Sequence, residues 1–295
     1  MEWPKRMNKA IQYLEDNLTS DIDIGEAAKQ AYCSEFHFQR IFLVVIGVTP
    51  AEYVRRRRLT MAAAEICSGN SKVIDVAMKY GYDSPDAFTR AFRNVHGITP
   101  LAARRHGAKL TAFPKVSLHV IFKGGSDMDY KILEKPAFDI IGKSREFTSL
   151  NKEDYKKIPL FWKEFMGTKD YETLIALREG KNGAVTGGDI LGICIPNEKK
   201  DLEEFCYAIG IEKQEKIAPA GFEVIHIPAI TWAVFESVGP MPEAIQNLTD
   251  RIYQEWFPST GYEQASAPEL EVYFEGNLES PNYRSQVWVP IVRSK

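Results

Sequence analysis

Apolar positions in the first third of the chain fall at helical spacing. Phe38, Ile41, Phe42 and Val45 recur at i, i+3, i+4 and i+7, as do Phe88, Ala91, Phe92 and Val95, so each set forms one face of a helix. The two sets belong to a repeat. Residues 24–55 align with 74–105 at an offset of 50: Tyr32, Ser34, Phe38, Arg40 and Phe42 meet Tyr82, Ser84, Phe88, Arg90 and Phe92, and Gly47, Thr49 and Pro50 meet Gly97, Thr99 and Pro100. Each copy reads as a short helix of small residues, a turn, then a second helix. Ser34 and Ser84 stand where a hydroxyl can accept from the free N–H groups of the first helical turn, Pro85 suits the first helical position, and Gly47 and Gly97 close the second helices. Between the copies, Pro50 to about Ser68 reads as one long bridging helix.

Two short helices joined by a tight turn fit a helix-turn-helix DNA reader. Two such units can enter successive major-groove segments about 34 Å apart. That leaves Phe36, His37, Gln39 and Arg40 on the outer surfaces of the first reading helix. Arg55, Arg56, Arg57 and Arg58 lie near the start of the bridging helix and read as phosphate clamps.

Beyond residue 128 the period changes. Tyr130 to Lys143 reads as two short strands around Pro136-Ala137, and Phe222 to Phe235 repeats that pattern at an offset of 92, Pro228-Ala229 matching Pro136-Ala137. A helix follows each copy, Ile158–Met166 and Pro242–Trp256. Further strands are expected at 189–195, 269–274 and 286–292. The predicted fold class is therefore multidomain: an all-α tandem helix-turn-helix domain, then an α+β domain of two pseudo-symmetric strand-helix-strand modules with a groove between them. The expected domains are 1–107, a linker at 108–127 marked by Gly107, Pro114 and Gly124-Gly125, and 128–295.

Composition adds boundaries to this picture. At roughly 100–200 residues per domain, 295 residues suit two or three domains. Apolar residues make up 44% and charged residues 26%, as in globular proteins. No apolar run reaches the ~18–20 residues of a spanning helix, so no membrane partner is expected. Residues 1–110 carry 16 Lys and Arg against 12 Asp and Glu, a net +4; the remainder carries 21 against 28, a net −7. A basic first part suits an anionic partner such as nucleic acid. Cys33, Cys67, Cys194 and Cys206 lack metal-type spacing and read as free thiols of a cytoplasmic protein.

Residues 8–106 resemble the AraC/XylS-type DNA-binding domain. The resemblance rests on Ala77-Met-Lys-Tyr-Gly-Tyr-Asp-Ser-Pro-Asp-Ala-Phe-Thr-Arg-Ala-Phe-Arg-Asn with Gly97-Ile-Thr-Pro, and on Ser34-Glu-Phe-His-Phe-Gln-Arg-Ile-Phe. It implies base-reading positions at Phe36, Gln39 and Arg40, and at Asp86, Ala87 and Arg90. Arg suits guanine and Gln adenine in the major groove, and an aromatic ring suits a thymine methyl. Asp86 can accept from cytosine but faces phosphates poorly.

The second half resembles the gyrase-inhibitor-like (GyrI-like) effector-binding domain. The matching residues are Lys123-Gly-Gly, Ile158-Pro-Leu-Phe-Trp, Pro228-Ala-Ile-Thr-Trp-Ala-Val-Phe, Glu255-Trp-Phe-Pro-Ser-Thr-Gly-Tyr-Glu and Pro268-Glu-Leu-Glu-Val-Tyr. The resemblance implies a small, aromatic or cationic ligand, and matches Glu271 to the family's pocket acid. In the alternating strand Glu269 to Phe274, Glu269, Glu271 and Tyr273 share one face. A carboxylate among aromatic rings is costly unless paired, and a cation can supply the pair. Trp162, Trp232, Trp256, Tyr262 and Tyr273 are the candidate walls.

Together these readings describe a one-component bacterial transcription regulator. Its expected partners are double-stranded DNA and a small-molecule effector, with RNA polymerase a further candidate. The sequence offers no metal cluster, nucleophile elbow or phosphate loop, and no cofactor, metal or catalytic residue is assigned. Two alternatives stay open for the second half: a small-molecule hydrolase, with Glu271 and a tyrosine as base and acid, and a protein-interaction module.

Overall fold

The structure is a computed structural model, and it describes residues 3–69, 71–105, 107–118, 127–178, 183–196, 204–214 and 218–293. The chain divides into two compact units, one of residues 1–38 and 48–121, the other of residues 39–47 and 122–295.

The first part is helical. In chain order its elements are α1 (Trp3–Asp16), α2 (Ile24–Ala31), α3 (Glu35–Ile46), α4 (Pro50–Cys67), α5 (Val73–Lys79), α6 (Pro85–His96) and the short α7 (Pro100–Ala103), with α3 from Gln39 onward belonging to the second compact unit. The repeat sets the helix ends. Ser34 Oγ accepts from the His37 amide at 3.3 Å, and Ser84 Oγ from the Ala87 amide at 3.1 Å. Thr49 and Thr99 cap α4 and α7 in the same way, each with proline at the first helical position. The inner turns differ between the copies. The left-handed residue is Tyr32 in the first and Gly81 in the second, one residue further from the following serine cap. Phe88 and Phe92 of α6 are buried against Leu59, Ala62 and Ile66 of α4 and Val76 and Ala77 of α5, as the apolar spacing predicts. Helix α1, which the sequence reading passes over, buries Met7, Ala10, Ile11 and Leu14.

Residues 108–118 lie in the stretch read as a linker, yet they are held along α1 and α4. The Asn8 carboxamide makes a reciprocal pair with Leu118, donating to its carbonyl and accepting from its amide, both at 2.8 Å. The Val116 amide donates to the Tyr53 hydroxyl at 3.2 Å and the Phe113 amide to Thr60 Oγ1 at 3.0 Å. Phe113 packs edge-on against Tyr53. The Lys123-Gly-Gly motif lies outside the described residues.

The second part is a sheet with helices. Its strands are β1 (Tyr130–Lys135), β2 (Phe138–Thr148), β3 (Ile190–Pro196), β4 (Glu204–Glu212), β5 (Glu223–Ile227), β6 (Ile230–Val238), β7 (Tyr262–Gln264), β8 (Glu269–Tyr273) and β9 (Arg284–Arg293). They form one antiparallel sheet in the order β1-β6-β9-β8-β3-β4-β2-β5, with β7 added to β9. The strands either side of Pro136-Ala137 do not pair with each other: β1 pairs with β6, and β2 with β4 and β5.

Helices α8 (Asp154–Met166) and α9 (Lys169–Arg178) follow β2. They cover one sheet face, where Phe161, Phe165 and Leu174 pack with Ile190, Tyr207 and Ile209. Helix α10 (Glu243–Arg251) follows β6 and continues through a wider turn at Ile252–Trp256 into α11 (Phe257–Ser259). On the other sheet face Leu191, Ile193, Trp232, Leu270, Val272 and Trp288 form a separate core. A strand contributes alternate residues to the two faces, and β8 does so: Leu270 and Val272 enter that core, leaving Glu269, Glu271 and Tyr273 on the helix-covered side. The sequence reading passes over α9, β4 and β7.

Candidate functional site

On the DNA-reading side, Phe36, His37, Gln39 and Arg40 all fall on α3, and Asp86, Ala87 and Arg90 on α6. Asp86 and Arg90 are exposed. The arginine run on α4 is not a uniform basic face. Arg55 and Arg56 donate to opposite oxygens of Glu52, at 2.6 and 2.5 Å. Burial pushes the Glu52 carboxyl up, but these two hydrogen bonds and charges hold it below its ordinary value. Arg57 and Arg58 turn inward, which corrects their reading as phosphate clamps. The buried Arg57 guanidinium grips Glu15 through both oxygens, at 2.7 and 2.8 Å, and donates to the Phe113 carbonyl at 2.7 Å. The Tyr53 hydroxyl donates to the same Glu15 at 2.7 Å. Arg58 donates to the Leu18 and Ser20 carbonyls and so holds the connection between α1 and α2. Arginine's fixed fork of donors suits this multi-acceptor bracing.

In the second part, a cavity opens between the sheet face and helices α8 and α10. Its lining includes Trp162, Cys194, Ile245, Glu271, Tyr273 and Val287. Three of the expected residues meet there in one network. The Tyr207 hydroxyl donates a very short hydrogen bond to Glu271 Oε2, and the Tyr273 hydroxyl donates to that same oxygen at 2.9 Å. The Trp162 indole N–H donates to the Tyr207 hydroxyl at 2.9 Å, and its ring lies 4.8 Å from that of Tyr273. Among the described residues no hydrogen bond reaches Glu271 Oε1.

The electrostatics follow from burial. Burial pushes the Glu271 carboxyl above its ordinary value of 4.5, the two tyrosine hydrogen bonds pull it partly back, and the nearby Glu269 and Asp154 charges push it up again. Burial, and then the Glu271 charge, holds the Tyr207 and Tyr273 hydroxyls far above the usual phenol range, so both stay protonated and donate. The Cys194 thiol is raised for the same two reasons, burial first. The arrangement can hold a carboxylate through one oxygen and offer the other to a positive group, with aromatic faces beside it.

The other three aromatic candidates lie elsewhere. Trp232 is fully buried in the core on the opposite sheet face, against Trp288. Strand parity explains this, because Trp232 is in register with Pro290, two residues from Trp288 on the same face. Trp256 packs edge-on against Phe235 and Tyr130, and Tyr262 stacks on Trp256 at 5.7 Å. Glu269 accepts from Tyr253 and Gln264.

Tyr207 is the site residue that sequence reasoning missed. Its signal was the alternation of Phe205, Tyr207, Ile209 and Ile211, which marks β4 as a strand with one buried face. The described residues contain no cluster of His, Cys, Asp and Glu fit for a metal. None of their helices is long and apolar enough to cross a membrane.

Both parts of the chain match known proteins. A family profile described as integron-associated effector binding protein matches residues 131–291, and a helix-turn-helix domain profile matches 27–106. The HTH-type transcriptional activator AarP of Providencia stuartii is 35% identical over 94 residues, which is 32% of this chain and 70% of AarP. The TetD protein of transposon Tn10 from Escherichia coli is 38% identical over 96 residues, again 32% of this chain and 70% of that protein. Among solved structures, SAV2435 bound to tetraphenylphosphonium matches 56% of this chain and 94% of its own, with 24% identity and a TM-score of 0.47. With the effector-binding profile spanning more than half of the chain and the DNA-reading relatives matched over most of their length, the chain belongs to the integron-associated effector-binding protein family and carries, ahead of that domain, the AraC-type helix-turn-helix reader of transcriptional regulators.

Proposed function

We propose that this regulator senses a small cationic, aromatic molecule in the cavity of its second domain and reads the ligand's charge with Glu271. The carrying observation is the carboxylate itself. It is partly buried beside aromatic rings, raised by its loss of water, and bonded through Oε2 to two tyrosine hydroxyls. A buried carboxylate with an unused acceptor is stabilised by an incoming cation, and rings alongside add cation–π attraction. The raised Tyr207, Tyr273 and Cys194 groups suit a binding site of fixed donors rather than an enzyme that activates a nucleophile.

On this reading DNA is bound by α3 through Phe36 and Gln39 and by α6 through Asp86, Ala87 and Arg90, with Arg55 and Arg56 near the phosphates. The expected readers His37 and Arg40 are set aside, because His37 is buried and the Arg40 guanidinium is ion-paired with Glu269 at 3.1 Å and bonded to the Tyr253 hydroxyl. The domains are 1–107 for DNA and 128–295 for the effector, joined by 108–127. The protein works in the cytoplasm, with RNA polymerase as its further partner. The effector domain is built of two related modules. In support, exchanging β1 with β5, β2 with β6, β3 with β8 and β4 with β9 turns the strand order into its own reverse. This exchange puts β3 and β8, with Cys194 and Glu271, at the junction of the two halves.

The test is calorimetric titration of the full chain and of Glu271→Gln with N-methylquinolinium and with quinoline. Quinoline is nearly the same shape and stays neutral at mildly alkaline pH. The expected result is preferential binding of the cation by the wild type and loss of that preference in the variant. Equal binding of both probes by the wild type sinks the proposal, and turnover of an added ester or epoxide that depends on Glu271 would move the domain to the hydrolase reading.

A further inference from the structure

Gly192 stands in the middle of β3, in register with Glu271 of β8 on one side and Ile209 of β4 on the other. A glycine inside a strand weakens it and often marks a place where another group approaches closely. Gly192 is not among the residues with a positive φ, so its use is spatial rather than conformational. A Cβ built on it would lie 2.6 Å from Glu271 Oε2 and closer still to the Tyr207 hydroxyl. Those are the two atoms of the hydrogen bond between Tyr207 and Glu271. The other strand glycines nearby behave differently. At Gly142 and Gly210 the closest obstacle is a backbone carbonyl of the neighbouring strand, as expected where strands only need to pack.

We infer that Gly192 is the positioning residue of the charge-reading site. It keeps open the notch in which Tyr207 meets Glu271 Oε2, and so leaves Oε1 to the ligand. Tyr207 has little room to retreat: it is fully buried, takes the Trp162 hydrogen bond and lies edge-on to Phe147. A methyl group at position 192 therefore displaces the Glu271 carboxylate, directly or by driving the tyrosine into it. The inference rests on the cation-sensing reading above and adds the residue that sets the orientation of its acid.

The test uses the full chain in four forms: wild type, Gly192→Ala, Tyr207→Phe and the double variant. One readout needs no ligand. Gly192→Ala is expected to lower the melting temperature of the wild type, and to lower it less in the Tyr207→Phe background, where the obstructing hydroxyl is gone. The other readout is titration with N-methylquinolinium and quinoline. Gly192→Ala is expected to weaken binding of the cation by about tenfold or more, the scale of a lost hydrogen bond to a charged group. Quinoline binding should change far less, and the double variant should recover part of the cation preference. A general packing role predicts equal losses for both probes and no rescue. An equal melting penalty in both backgrounds, or an unchanged cation preference in Gly192→Ala, overturns the inference. Wild type that binds both probes equally overturns charge sensing itself and this role with it, while the melting cycle still reports whether Gly192 reserves the space.

Discussion

Replacing Arg57 by methionine separates two roles for the arginines of α4. Methionine keeps much of the apolar stem and removes the guanidinium. Three short hydrogen bonds go with it, two to Glu15 and one to the Phe113 carbonyl. Among the described residues, Glu15 is then left with the Tyr53 hydroxyl as its donor. Both partners are about 10% exposed, so water does little to replace the lost charge. Breaking one side of a buried ion pair costs about 3–5 kcal/mol. Counting the two lost bonds to Glu15 at roughly 1.5–3 kcal/mol each gives about 3–6 kcal/mol, an overlapping range. For a domain of this size, at about 4–8 °C per kcal/mol, its melting transition should fall by roughly 12 °C or more.

The pH dependence has a definite sign. Burial pushes the Glu15 carboxyl up, but the hydrogen bonds from Arg57 and Tyr53 and the Arg57 charge outweigh it and hold the group below 4.5. A depressed carboxyl stabilises the fold above its unfolded-state value, and that contribution is lost as the pH falls through the folded-state value. Scanning calorimetry of the full chain, which reports each domain's transition, should therefore show a large gap between wild type and Arg57→Met at neutral pH that narrows in acid. A gap below about 0.5 kcal/mol, the range of an ordinary surface change, would refute the reasoning. So would weaker DNA binding on an unchanged melting curve, with a salt slope reduced by about one, which is the signature of a lost phosphate contact.

Glu271→Gln should raise the melting temperature of the ligand-free protein above the ordinary carboxylate range while removing the cation preference, since the wild-type charge is held where burial opposes it. For the same reason, calorimetric affinity for N-methylquinolinium should be highest at alkaline pH and fall as the pH approaches 4.5 from above; a flat profile would remove Glu271 from the site. Asn8→Ala deletes both hydrogen bonds to Leu118, each worth about 0.5–1.5 kcal/mol, and should speed exchange of the Leu118 amide and cleavage within 108–118; unchanged protection would show that the side chains of that stretch hold it unaided. Arg90→Ala should weaken binding to a specific DNA site by about 1–3 kcal/mol and relax preference at one base pair, measured by competition against altered sites. Asp86→Asn should strengthen non-specific binding by removing a negative charge from the reading helix.

The repeat was legible because it rests on local signals. A serine before a helix, a proline at its first position and a glycine after its end act within four residues, and the apolar spacing of α6 needs only a helix to put Phe88 and Phe92 on one face. Glu271 and Tyr273 were legible for a similar reason, since residues two apart in a strand share a face whatever the strand packs on. What stayed hidden depends on partners far along the chain. Arg57 and Arg58 look no different from Arg55 and Arg56 in a run of four, and only the fold brings Glu15 and the Leu18 carbonyl to the inward pair. Segment 108–118 follows Gly107 and carries Pro114 like a linker, and only the placement of Asn8, Tyr53 and Thr60 shows what holds it.

The aromatic candidates show the same limit at the cavity. Trp162, Trp232, Trp256 and Tyr262 are equally plausible walls by composition. Which of them meets Glu271 is decided by which elements pack beside β8, and that is not a local property: α8 brings Trp162 against Tyr207 and Tyr273, and β8 itself lies beside β3, not beside β7, its predecessor in the chain. The same neighbour relation brings Gly192 opposite Glu271, and the next one in the sheet brings Tyr207 within a hydrogen bond of it across 64 residues of sequence. An acid recognised from sequence thus becomes a defined acceptor only through two strands whose contribution is an absent side chain and a hydroxyl. Substitutions at Gly192 and Tyr207 should therefore change how the cavity ranks charged against neutral ligands, even in a protein that keeps Glu271.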